Sequence, residues 1–161
     1  MRQVILLRHA HAEPASAGQA DLDRPLSPVG LAEAQAAGRG LGGHGLVPDR
    51  AARRERAGEL LTLEAVLAVT GYAEQRLEAA IYEATPGTLV GLLQDQRDVE
   101  RLLLVGHNPG LERLVALLDS GQTSDYRGMP PAGVAVLSLP EPPGQDPVEP
   151  GGGRLTAFWW P

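Results

Sequence analysis

Apolar residues along this chain fall into two kinds of run. Residues 3–8, Gln-Val-Ile-Leu-Leu-Arg, and 102–106, Leu-Leu-Leu-Val-Gly, are short and continuous, the pattern of strands buried on both faces of a parallel sheet. The longer runs carry helical spacing. Leu31, Ala34, Gln35, Gly38 and Leu41 follow Ser27-Pro28, a cap and first-turn proline, and the helix they predict ends in Gly42-Gly43. A second helix is predicted over 58–70, ending before Gly71. Thr85-Pro86 opens a third, through about Gln96, burying Leu89, Leu92 and Leu93. A fourth follows Asn108-Pro109, with Leu111, Leu114, Val115 and Leu118 on one face. Residues 133–139 and 154–160 read as a late β-pair, and the Pro/Gly-rich stretch from Pro140 to Gly153 reads as a mobile excursion between them. This alternation predicts a three-layer α/β/α sandwich with a mostly parallel central sheet.

The 161 residues suffice for one domain over 1–161 with a core of its own, and no repeat or linker divides it. Cysteine is absent, which excludes disulfides, thiolate catalysis and cysteine-ligated zinc. A net charge of −6 without a basic, aromatic-interleaved stripe argues against a nucleic-acid partner. All 14 basic residues are arginine, which with abundant Ala, Gly and Pro is the composition of a GC-rich bacterial genome. No apolar stretch approaches the roughly 20 residues that cross a bilayer. The chain also enters a strand with functional-looking residues directly after Met1, where a cleaved leader would remove them. No membrane partner and a cytoplasmic location are therefore expected.

The candidate chemistry sits at the ends of the two buried strands. Arg8-His9 places a guanidinium and an imidazole at the carboxyl edge of the sheet, where open α/β sheets form their ligand crevice. The pair is either a surface dipeptide or a phosphate-binding cation beside a nucleophile. An imidazole with an ordinary pKa of about 6.5 is mostly neutral near pH 7, and arginines disfavour its charged form further. Gly106-His107-Asn108-Pro109-Gly110 repeats the arrangement, with a glycine permitting close approach and a following helix N-terminus that favours an anion. Alone, His107 fits a structural bend; with Arg8-His9 it reads as the second imidazole of one phosphoryl-transfer site, with Asn108 beside it. Arg24, in the turn Asp23-Arg24-Pro25, either salt-bridges a nearby aspartate or reaches back to that pocket. Glu83, before the Thr85-Pro86 cap, is either an ordinary acidic residue or a proton donor to a leaving group. His9-Ala10-His11 has the spacing of a metal site but lacks further ligands. His11 is read as a rim residue and His44, in a Gly-rich loop, as solvated.

Taken together, Leu6-Leu7-Arg8-His9-Ala10-His11-Ala12-Glu13, Asp23-Arg24-Pro25-Leu26-Ser27-Pro28-Val29-Gly30, Leu41 through Asp49, Tyr82-Glu83-Ala84-Thr85-Pro86 and Val105-Gly106-His107-Asn108-Pro109-Gly110 resemble the histidine phosphatase superfamily. Within that phosphoglycerate mutase-like fold they look most like the SixA-type phosphohistidine phosphatases. The resemblance implies a hydrolase that needs no metal or other cofactor. His9 would be the nucleophile that becomes phosphorylated. Arg8, Arg24 and His107 would bind the phosphoryl oxygens, and Glu83 would stand at the position of the acid. The implied partner is a phosphorylated protein, phosphohistidine above all, or a small phosphoester. The short chain leaves little room for a capping insertion, and a monomer is expected.

One segment departs from the family pattern. After Pro48-Asp49 the family has an apolar strand, then Ser-Pro-x-x-Arg, whose arginine is a second phosphate clamp. Here residues 50–61 read Arg-Ala-Ala-Arg-Arg-Glu-Arg-Ala-Gly-Glu-Leu-Leu. Counting back from Thr62 puts the clamp position on Gly58. Arg50 to Arg54 offer no buried strand by pattern, and a stretch out of character with its length kept is what two compensating frameshifts leave. Taken as it stands, the segment reads as an arginine-rich helix or loop in which Arg53, Arg54 or Arg56 takes over the clamp, or else activity is weakened.

Overall fold

The apolar run at the N-terminus forms β1, Gln3–Arg8, and Val4, Ile5, Leu6 and Leu7 have no solvent exposure at all. A computed structural model describes residues 3–81 (Leu22 by its backbone alone), 84–122, 128–140 and 148–161. Alternate side chains of β1 leave on opposite faces. Val4 and Leu6 pack with α3, Pro86–Asp95, and α4, Gly110–Ser120, whereas Ile5 and Leu7 pack with α1, Pro28–Gly43, and α2, Ala57–Thr70. These two apolar clusters make the three layers that the alternation of strands and helices predicts. No helix among the described residues is long and apolar enough to cross a membrane.

The sheet has six strands. Besides β1 they are β2, Arg50–Arg53, β3, Glu74–Leu77, β4, Arg101–Gly106, β5, Val134–Ser138, and β6, Arg154–Trp159, in the order β3-β2-β4-β1-β5-β6. Strands β3, β2, β4 and β1 are mutually parallel; β5 and β6 are the late antiparallel pair. Helix starts follow their capping chemistry. The Ser27 hydroxyl accepts the Gly30 N–H at 3.0 Å, and the Thr85 hydroxyl accepts the Thr88 N–H at 3.2 Å. At α4 the cap residue is Pro109, so Asn108 serves from one position further out, its Oδ1 accepting the Glu112 N–H at 3.3 Å. Much of the Pro140–Gly153 excursion, residues 141–147, lies outside the described residues.

The reading of residues 50–54 as unfit for a buried strand is overturned. Arg50–Arg53 is β2, paired to β3 on one side and β4 on the other. The physical reason is the placement of its charges. Ala51 and Ala52 alone lie in the middle of the layers, fully buried. Arg50, only 4% exposed, lies at the amino end of the strand. There it makes two hydrogen bonds to Asp98 at 2.7 and 2.9 Å, one to Glu74 at 3.0 Å and one to Gln96 at 2.9 Å. A buried guanidinium with such partners is tolerated, and its charged form is held firmly, chiefly by Asp98. Asp98 is in turn pulled down to about 2 by its hydrogen bond to Arg50. Arg53 ends the strand at the opposite, carboxyl edge. Strand β3, Glu-Gln-Arg-Leu, carries no apolar period and went unseen in the sequence; as an exposed sheet edge it needs only its pairing with β2.

Candidate active site

Strands β1 and β4 lie side by side with Arg8 opposite Gly106, so the residues that follow, His9 and His107, emerge at one edge of the sheet. The His9 N–H donates to the Gly106 carbonyl at 2.9 Å. The sequence expectation that two separate strands deliver their imidazoles to one crevice is met at the backbone, and the charge of His107 acts on His9. The His9 ring has a defined direction. Its Nδ1 lies 2.9 Å from the Ala10 carbonyl, an acceptor only, so Nδ1 carries the hydrogen and the lone pair of the neutral ring sits on Nε2.

Arg8 Nη1 donates to the Met129 carbonyl at 2.7 Å, and Asn108 Nδ2 donates to the same oxygen at 2.9 Å. Both side chains are therefore fixed to one point on the segment before β5. Asn108 is engaged at both ends, through Met129 and Glu112, and its first role is to hold the turn that carries His107. Of the two roles open to Arg24 in the sequence, its side chain takes the salt bridge. Its Nη2 pairs with Asp21 at 2.7 Å, while its backbone carbonyl lines the space around Gly58 beside His9. The Nε atoms of Arg8, Arg24 and Arg53 are buried and have no hydrogen-bond partner among the described residues. Buried donors of this kind call for an acceptor.

Gly58, where the family pattern puts the clamp, lies beside the His9 ring. A Cβ at this position would stand 3.8 Å from His9 Nδ1, in ordinary contact. The cation nearest in effect comes from two residues earlier. Arg56, its side chain 11% exposed, pairs with Asp21 at 3.0 Å and is the strongest of the charges acting on His9. Burial is the larger influence. It pushes the His9 imidazole down to about 4, with Arg56, Arg8 and His107 adding to the depression and the Ala10 carbonyl opposing it. Burial also lowers Arg8, against the charges of Glu112 and Glu33.

Two features escaped the sequence. Thr62 Oγ1 accepts the Ala10 N–H at 3.2 Å and donates to the Gly58 carbonyl at 2.6 Å, tying α2 to the backbone that follows His9. Glu59 reads as an ordinary first-turn acid of a helix, yet it has no solvent exposure. Its Oε2 accepts the Arg54 N–H at 3.1 Å and its Oε1 lies 4.0 Å from His107 Nδ1. Burial pushes this carboxyl up to about 7, against the pull of Arg54, Arg56 and Arg53. Only the burial of a helix face could have revealed it. His11 is exposed, its Nδ1 2.7 Å from Glu33 Oε1. The His44 ring is exposed but stacks on Trp159 at 4.9 Å, so it is not simply solvated. No group of three or more potential metal ligands gathers among the described residues. Glu83 lies outside them.

Comparison with known proteins agrees with this geometry. No family model matches the chain. The Mycobacterium tuberculosis protein Rv1276c, itself uncharacterized, is 33% identical, the match covering 96% of this chain and 99% of its own length. The structure assigned as the phosphohistidine phosphatase SixA of Agrobacterium tumefaciens superposes with a TM-score of 0.83 at 29% identity, over 99% of this chain and 98% of that one. The protein assigned as SixA of Nakamurella multipartitia gives 0.83 at 26% identity, over 99% and 96%. The chain belongs to the histidine phosphatase superfamily, phosphoglycerate mutase-like in fold and SixA in type.

Proposed function

We propose that this chain is a phosphatase that works without a metal through a phosphohistidine on His9, with protein phosphohistidine as its substrate. The observation that carries the reading is the His9 ring: Nδ1–H spent on the Ala10 carbonyl, Nε2 left as the nucleophilic lone pair, and a pKa low enough to keep that lone pair free. In this scheme Nε2 attacks phosphorus, and the bond to the leaving group breaks as that group takes up a proton. Glu83 is the donor we assign. Water then attacks the phosphorus on His9, releasing inorganic phosphate and restoring the neutral ring. Arg8, Arg24, Arg56 and His107 bind the phosphoryl oxygens and stabilise the charge that builds in the transition state. Asn108 supports them from the His107 turn. The buried Nε donors of Arg8 and Arg24 suit a tetrahedral oxyanion.

An assay on a phosphohistidine protein, run beside a generic aryl phosphate, tests the proposal with His9→Ala as control. Turnover of the first substrate, and label trapped on His9 from a phosphoryl donor, are the expected results. Preference for the aryl phosphate would mark a small-molecule phosphomonoesterase. Phosphate binding without label would mark a non-catalytic relative, the reading that the empty clamp position at Gly58 favours.

A further inference from the structure

We propose that Glu59 is a positioning residue for His107, forming with it a carboxyl–imidazole pair that supplies the proton His107 needs when a phosphoryl group binds. The proposal rests on the functional reading above, because it gives Glu59 a role in that reaction. Four observations carry it. Glu59 sits on α2 immediately after Gly58, the residue facing the nucleophile. It is fully buried. One carboxyl oxygen is fixed by the Arg54 N–H, which orients the group. The other, Oε1, is 4.0 Å from His107 Nδ1 and has no hydrogen-bond partner among the described residues.

A carboxyl in such a place is costly unless it is neutral or paired. The pair resolves the cost by holding one proton between its two members. With the pocket unfilled, the proton rests on Glu59 Oε1 and both groups are neutral. When a phosphoryl group arrives at the far side of the imidazole, the proton passes from Glu59 Oε1 to His107 Nδ1. The resulting imidazolium donates from Nε2 to a phosphoryl oxygen, and the carboxylate behind it balances its charge. No other bond changes. The 4.0 Å separation must close by about 1 Å to reach hydrogen-bond length. Such a carboxylate behind a histidine fixes its tautomer and raises its basicity, as carboxylates do behind metal-bound histidines. The charged and titratable groups that act on this pair are Arg53 from the end of β2, Arg54 and Arg56 from the turn before α2, and His9 from the end of β1.

The test follows the His107 ring by NMR in the full chain, across pH, with and without inorganic phosphate, alongside steady-state kinetics. In Glu59→Gln, which keeps an acceptor for Arg54, the His107 titration should move to lower pH by about one unit. Added phosphate, an anion beside the ring, should still raise it, but from that lower starting value. The kcat should fall about 10–100-fold with KM little changed. Should Glu59→Gln not fold, Glu59→Asp is read by the same titration, moving in the same direction by less. A His107 titration that ignores both substitutions overturns the pairing whatever the activity. Absence of turnover in the unaltered protein, with the titration shift present, would instead overturn the phosphatase reading and leave the pair standing.

Discussion

Arg24 and Arg56 share one carboxylate: Asp21 takes Arg24 Nη2 on one oxygen at 2.7 Å and Arg56 Nη2 on the other at 3.0 Å. The turn after β1 and the N-terminus of α2 are thereby joined at the mouth of the site, and the two guanidinium groups are held together despite their like charge. Arg56 also supplies the strongest charge on His9. Arg56→Ala is therefore expected to lower kcat/KM by on the order of 10²–10³, the usual loss when one transition-state contact is removed. Arg56→Lys should recover only part, because an ammonium does not reproduce the guanidinium fork. Asp21→Asn should cost much less, since Asp21 is largely exposed and salt screens its pairing. An Arg56→Ala enzyme within threefold of the unaltered one would remove Arg56 from the site.

The pH profile follows from His9. Its neutral form, the one that attacks in the proposed reaction, persists down to about pH 4 because burial and the surrounding cations disfavour the imidazolium. The acid limb of kcat/KM that belongs to His9 should therefore lie near pH 4, well below an ordinary histidine, and Arg56→Ala should move it upward. Stability follows the same sign. The folded value lies below the unfolded 6.5, so this residue's contribution is whole above pH 6.5 and is lost as the pH falls toward 4. Titration of the His9 ring by NMR reads the value directly.

Glu59 has the opposite sign. Its folded value of about 7 stands above the unfolded 4.5, so the native state is favoured below pH 4.5 and that advantage is lost as the pH rises through 7. Glu59→Gln keeps the neutral shape at every pH. Thermal unfolding at pH 8 should show the variant several degrees more stable than the unaltered protein, with the two nearly equal at pH 4.5. A site that gains stability and loses turnover in the same substitution would mark Glu59 as retained for function.

Arg50 is a structural counterpart with no part in the chemistry. It closes the amino end of β2 against Asp98, Glu74 and Gln96. Arg50→Ala should destabilise the protein by on the order of 2–4 kcal/mol, measured by urea denaturation, because loss of a buried side chain that makes four hydrogen bonds leaves a void and strands Gln96. Arg50→Met should cost less, since it fills the space. Neither should alter the His9 pH profile.

The layers of this fold were legible because its core strands are apolar throughout and its helices start at Ser27-Pro28 and Thr85-Pro86, signals that act over a few residues. His9 and His107 were legible because each stands at the end of such a strand. Strand β2 was not, because two alanines fill the interior while its arginines leave at the two ends, an arrangement visible only once Asp98 and Glu74 are seen beside them. Glu59 was hidden for a related reason: it shares the buried face of α2 with Thr62, Leu63 and Val66, and an acid in a first helical turn carries no local sign that its face is covered. Local pattern reports a residue's own segment; long-range pairing decides what a charge at its end is for.

Gly58 offers the most direct check on how this site departs from its family. Glycine is not required there by its surroundings, since a Cβ would meet only His9 Nδ1 at 3.8 Å and the Arg24 carbonyl at 4.0 Å. Gly58→Ala should fold normally and gain about 0.5 kcal/mol from helix propensity. Gly30 makes the contrast: a Cβ there would collide with the His11 carbonyl, so Gly30→Ala should be severely destabilised. Gly58→Arg then places a guanidinium beside His9. In an Arg56→Ala background it should restore at least tenfold of the lost kcat/KM, because either position then supplies the same charge to the same phosphoryl oxygens. A folded Gly58→Arg, Arg56→Ala protein with no recovery would show that the two positions do not converge on one ligand, and that the clamp in this chain is not replaced but absent.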